Sequence, residues 1–174
     1  MRAIGASVVL IALLLSVIGC APSTTEKESL VPVETEFAVY LTAQEVPIDS
    51  LAIVTHIDPG DEPIVSIEDI VSYRSQTHEI ELTPSSAKRI VELDLAGKAF
   101  VVCVDRQPIY AGVFMALYFS RTFDGIVIIW PPTQGDGTAI RIELGYPGPE
   151  FFTGEDPRSD PKIFESLRQA GKLH

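Results

Sequence analysis

The chain has 174 residues, with 13 basic against 24 acidic side chains and a formal net charge of −11. With 46% of its residues hydrophobic and 21% charged, it has enough apolar side chains to build a core, which excludes a wholly disordered chain. Its acidic balance repels phosphate backbones and excludes nucleic acid as a partner.

At the N-terminus, Arg2 precedes an apolar run from Val8 to Ile18, and the small Gly19 precedes Cys20. This is the layout of an export signal, and the run is too short for a dependable membrane span. The four residues Val17-Ile18-Gly19-Cys20 resemble the bacterial lipobox. That resemblance implies cleavage before Cys20 and lipidation of its thiol, so the mature protein is held by its acyl chains at the extracytoplasmic face of a cell membrane. At about 0.8 kcal/mol per buried CH₂, two or more chains anchor stably. Residues 1–19 are thus expected as a signal peptide and 20–35 as a tether, because APSTTEKESLVPVET is rich in Ser, Thr, Pro and charge and lacks apolar periodicity. Without Arg2, 12 basic residues face 24 acidic ones, and such a domain is pushed away from an anionic bilayer surface. Cys103 is then the one remaining thiol. It lies in an apolar run and is expected buried and inert.

Residues 36–174 are long enough for one domain with its own core. Phe37–Leu41 and Leu51–Val54 read as short strands, and Asp58–Asp61 as a turn. Ser66 is a candidate N-cap three residues before Asp69, which predicts a short helix or helical turn through Ser72. His78–Leu82 alternates as a half-buried strand. Thr83, Pro84 and Ser85 have the chemistry of N-cap, N1 and N2, and Ala87, Ile90, Val91 and Leu95 continue a helix face up to Gly97. Phe100–Val104, the turn Asp105–Gln107 and a return strand Pro108–Phe119 follow. Two further strands are predicted over Gly125–Trp130 and Thr138–Leu144. A final helix opens at Asp160-Pro161, with Ile163, Phe164 and Leu167 on one side and Gly171 at its end. The order reads as α+β, a single domain with a largely antiparallel sheet and two or three helices.

The middle of the chain resembles the head part of the large periplasmic domain of SecD. The likeness rests on Pro63–Ile70, on Leu82-Thr83-Pro84-Ser85-Ser86-Ala87 opening a helix, and on Gly97–Asp105 followed by Pro108-Ile109. It covers roughly residues 60 to 116. It implies the fold of that head and, more weakly, a role in contacting polypeptide. SecD's membrane-spanning helices have no counterpart here, so proton-driven work on a translocating chain is not implied.

No Gly-x-Ser-x-Gly, His-Glu-x-x-His, phosphate-cradling glycine loop or Cys-x-x-Cys occurs. His56 and Asp58 with His78, Glu79 and Glu81 are the best candidates for a metal or acid/base site. However, His78 and Glu79 are adjacent on a strand and so point to opposite faces. His78 shares a face with Ile80 and Leu82 and is expected as a core or edge histidine. Glu79 and Glu81 are expected on a solvated face, and His174 as a mobile last residue. The aromatic set Tyr110, Phe114, Tyr118, Phe119, Phe123 and Trp130 is expected to be mostly core. Tyr110, with Phe151 and Phe152 after the Pro-Gly-Pro loop, are the candidate binding residues, although the phenylalanines can equally pack back on the sheet. The sequence therefore predicts a membrane-anchored, non-enzymatic lipoprotein that binds a protein or peptide at the cell envelope, with no metal and no cofactor. The alternative is a small envelope hydrolase or metal-dependent enzyme.

Overall fold

A computed structural model describes residues 36–53, 56–132 and 137–174; the expected signal peptide, Cys20 and the tether lie outside the described residues. Eight strands form one sheet: β1 (Phe37–Thr42), β2 (Pro59–Val65), β3 (Ile70–Arg74), β4 (Glu79–Leu82), β5 (Ala99–Val104), β6 (Gln107–Met115), β7 (Phe123–Ile129) and β8 (Ala139–Tyr146). Their order is β2-β1-β5-β6-β7-β8-β4-β3. Every pairing is antiparallel except β6 with β7. With helices α1 (Pro84–Val91) and α2 (Pro161–Gln169), the domain has the expected α+β class.

The sheet curls on itself. The rings of Phe37 on β1 and Tyr73 on β3, near opposite ends of the strand order, meet edge to face with centroids 6.2 Å apart. Inside the curl, one core gathers residues from all eight strands and both helices, among them Val39, Ile70, Ile80, Phe100, Val102, Phe114, Ile128, Ile142, Ile90 and Leu167. The outer face carries a second cluster around Val113, Met115, Val127 and Tyr146, and a third of Ala38, Tyr40, Val101 and Cys103. All six residues of β5 are therefore buried, as expected for an unbroken apolar run in the middle of a covered sheet. Burial pushes the Cys103 thiol up to about 11, so it stays protonated and unreactive.

Both helices start as their residues predict. The Thr83 hydroxyl accepts from the Ser86 N–H with Pro84 in the first turn, and the Asp160 carboxylate accepts from the Lys162 N–H with Pro161 beside it. The first helix stops at Val91, short of Gly97. Leu95 still reaches the core, but the chain must turn through Gly97 at φ 82° to enter β5, and its N–H bonds the Phe114 carbonyl.

Four expectations are corrected. The strand expected over Leu51–Val54 is not formed over residues 51–53, because Ile48–Ile53 winds into a 3₁₀ helix whose first turn closes from the Ser50 N–H to the Pro47 carbonyl, and Val54 lies outside the described residues; so short an apolar run carries no decisive period. Asp58–Asp61 is no turn but the start of β2, where Thr42 pairs with Pro59 at a sheet edge that tolerates proline. The helix after Ser66 spans only Ile67–Asp69, because Ile70 joins Leu82 across β3 and β4. The return strand ends at Met115 instead of Phe119, and residues 116–122 cross to the parallel neighbour β7.

Neither sheet edge is bare. On β3, residues 172–174 run alongside, with Tyr73 bonded through its N–H to the Lys172 carbonyl (2.7 Å) and through its carbonyl to the His174 N–H (2.8 Å). The Ser75 N–H and hydroxyl also bond the His174 carbonyl, so His174 is pinned rather than mobile. On β2, Pro59 and Pro63 remove two donors. Arg89 donates to the Ile64 carbonyl, and Arg106 donates to those of Gly60 and Asp61.

Candidate functional site

The β6–β7 pairing begins only at Gly112 opposite Ile126, so the two strands part over the first halves of their lengths. Gly112 is required at that rung, since a Cβ there would meet the Phe100 ring at 2.4 Å and the Ile126 carbonyl at 2.5 Å. Beside the parting lies a groove of about 360 Å³. Strand β6 lines it with Tyr110 and Ala111, β7 with Phe123 through Ile126, and the segment before β2 with Leu51 and Ile57. The loop after β8 contributes Phe152, Gly154, Glu155 and Pro157.

Two Phe-x-Gly tripeptides build much of this surface. Phe123-Asp124-Gly125 and Phe152-Thr153-Gly154 each put an aromatic ring against a glycine two residues on. A Cβ on Gly125 would stand 2.4 Å from the Phe123 ring, and one on Gly154 would stand 3.1 Å from the Phe152 ring. The middle residues join the two units. Thr153 donates to the Asp124 carboxylate from its N–H (2.9 Å) and its hydroxyl (2.5 Å). These two bonds, the hydroxyl's first, hold the exposed Asp124 carboxyl below the usual range, so it keeps its charge.

The loop after β8 is fixed at both ends. Gly145 adopts φ 64°, and a Cβ there would meet the Gly148 carbonyl at 2.5 Å, so the chain folds back closely over it. At the far end Asp156 and Arg158 form a two-pronged ion pair (2.9 and 2.7 Å), and Arg158 also donates to the Ile142 carbonyl at 2.8 Å. A groove on so anchored a loop needs little ordering to bind.

Of the three candidate binding residues, Tyr110 and Phe152 line this groove and Phe151 does not. Tyr110 is 9% exposed and belongs to the main core, while both phenylalanines are half-buried, Phe152 packed against that core. The Tyr110 hydroxyl is buried without a partner, and burial, reinforced by Tyr73, raises it well above the ordinary phenol range. Phe114, Phe123 and Trp130 are core as expected, but Tyr118 is 75% exposed beside Leu117 at 61%. That pair rides on the crossover, which is held by the Tyr146 hydroxyl lying 3.1–3.2 Å from the carbonyls of Ala116, Leu117 and Phe119. Nearby, a second depression of similar volume is lined by Leu117, Arg141 and Glu143, with Arg141 paired to Glu79.

The histidines have separate partners. The exposed His56 Nε2 lies 2.9 Å from an Asp58 carboxylate oxygen. His78 is buried, at φ 51°, with its Nδ1 2.9 Å from the Tyr73 hydroxyl. Burial, and secondarily the Arg158 charge, depress its pKa. Glu79 is ion-paired to Arg74 and Arg141, and Glu81 accepts from the Ser72 hydroxyl. Among the described residues, no three or more His, Cys, Asp or Glu gather as a metal would require. Asp69 has the densest polar surroundings: burial raises its pKa, but the Ser66 N–H, the Ser86 and Ser66 hydroxyls and Arg89 outweigh it and the carboxyl stays ionised. With no histidine in that set, its evident work is to bind α1 to the 3₁₀ turn before β3.

Leu51, Ile57, Asp124 and Glu155 escaped the sequence reading. The repeated Phe-x-Gly with an acid alongside was the available signal. No helix among the described residues is long and apolar enough to cross a membrane. No protein-family model, curated protein or solved structure matches the chain.

Proposed function

We propose that this chain is a bacterial lipoprotein, anchored through Cys20 at the extracytoplasmic face of a membrane, whose domain binds a protein or peptide without doing chemistry on it. The lipobox-like Val17-Ile18-Gly19-Cys20 supports the anchor. The observation that carries the binding role is the groove beside the β6–β7 parting, preformed on anchored backbone and lined mainly by apolar side chains. At about 360 Å³ it suits one or two side chains of a larger partner. The resemblance of residues 60 to 116 to the SecD head adds the weaker suggestion that this partner belongs to protein export.

Chemical cross-linking in cells, followed by identification of the captured partner, tests both parts. The Cys20→Ser protein is expected in the soluble fraction. Phe152→Ser is expected to lose the captured partner, while His56→Ala keeps it. Stoichiometric zinc in the purified protein, lost with a hydrolytic activity in the His56→Ala and His78→Ala variants, would overturn this reading in favour of an enzyme.

A further inference from the structure

The groove is apolar along its walls, yet among the described residues the only charged ones lining it are Asp124 and Glu155, both exposed and both acidic. No lysine, arginine or histidine among the described residues lines it. Thr153 both orients Asp124 and keeps it ionised, so the negative charge is built into the loop junction. On a chain of net charge −11, this local charge has the same sign as the whole surface, and the field draws cations. The half-buried ring of Phe152 offers aromatic surface next to these carboxylates, with the largely buried Phe123 also in the lining. One kind of side chain satisfies both features. The methylene stem of a lysine or arginine lies along apolar and aromatic surface while its charged end meets a carboxylate.

We infer that this groove receives a basic side chain from an extended cationic peptide segment, with the stem along its apolar lining beside Phe152 and the charge at Asp124 and Glu155. This inference rests on the binding role proposed above and names the chemistry of the partner. An apolar partner without charge would leave both carboxylates without a counter-charge, and an acidic one would be repelled by them.

The test uses the full lipidated chain in non-ionic detergent and three synthetic octapeptides: alternating Lys-Leu, Ser-Leu and Glu-Leu. The Lys-Leu peptide is expected to bind, and to weaken as salt rises through the range that shortens the Debye length from about 10 to 3 Å. Asp124→Asn with Glu155→Gln is expected to weaken it about five-fold, the upper range for exposed ion pairs, and Phe152→Ala about thirty-fold, as for an aromatic anchor. Glu62→Gln with Asp94→Asn makes the same charge change at exposed positions outside the groove and is expected to leave binding unchanged. Thermal melts of each variant separate lost binding from lost fold. Equal, salt-independent binding of the Lys-Leu and Ser-Leu peptides, abolished by Phe152→Ala, would overturn the cationic inference and leave the binding role standing. Lys-Leu binding that falls equally in the groove and control variants would overturn the groove as its site. Failure of all three peptides to bind would overturn the groove's binding role together with this inference.

Discussion

Asp124, at the start of β7, and Thr153, in the loop after β8, are locked together by two hydrogen bonds at 2.9 and 2.5 Å. Thr153→Val keeps the N–H bond and removes the hydroxyl's. The Asp124 pKa is therefore expected to rise toward its ordinary 3.8, read by NMR titration of that carboxyl. An unmoved Asp124 titration would show that the hydroxyl bond is not formed in solution.

The neutral His78 imidazole beside the Tyr73 hydroxyl makes stability depend on pH. Its folded pKa lies below the ordinary 6.5, so its contribution is complete above that value and is lost as pH falls below it toward the folded pKa, where the unfolded chain binds the proton first. Arg158 and Asp156 act on the ring in opposite senses, Arg158 the more strongly. Thermal midpoints are expected to fall from pH 7 to pH 5. His78→Asn, which tolerates the positive φ, is expected to flatten that slope. An equal slope in both proteins would assign the effect to other groups.

Strand β5 is covered on both faces, with Val102 facing the main core at 0% exposure and Val101 facing the outer clusters at 1%. Either valine replaced by aspartate leaves a buried, unpaired charge, and a loss of about 3 kcal/mol or more is expected for each. Urea denaturation checks it. A mild Val101→Asp would mean that the outer layer opens to water.

Arg106 sits in the turn between β5 and β6, and its guanidinium lies 5.2 Å from the centre of the Tyr40 ring and donates to the Gly60 and Asp61 carbonyls. Arg106→Ala is expected to cost about 1 kcal/mol, the scale of one exposed cation–π contact with weak hydrogen bonds. A denaturation midpoint within error of the parent would show that these contacts add nothing in water.

Periodicity made the fold class readable where runs were long or capped. The alternation of His78–Leu82, the Thr83-Pro84 helix start and the apolar Phe100–Val104 all point to one state, and each forms, the first as Glu79–Leu82 with His78 in the turn before it at φ 51°. It failed where a neighbour in space decided the outcome. Pro59 joins a strand because β1 offers it an edge, and Ile70 does so because Leu82 lies opposite. The candidate site was half legible. Tyr110 and Phe152 stand out as aromatics near turns, but their meeting depends on β6 and β7 running parallel, and a seven-residue crossover gives no hint of that, since such connections usually need a dozen residues or more.

The prolines and arginine-held carbonyls of β2 bear on behaviour in a crowd. Molecules tethered to one surface share a thin layer, in which encounters between neighbours are far more frequent than in bulk solution. An open strand edge under those conditions would template its copy in the next molecule and zip the layer into a continuous sheet. Strand β2 lacks two N–H donors, at Pro59 and Pro63, and three of its carbonyls already accept from Arg89 and Arg106, so it is a poorer template for a neighbour's strand than an unmodified edge would be.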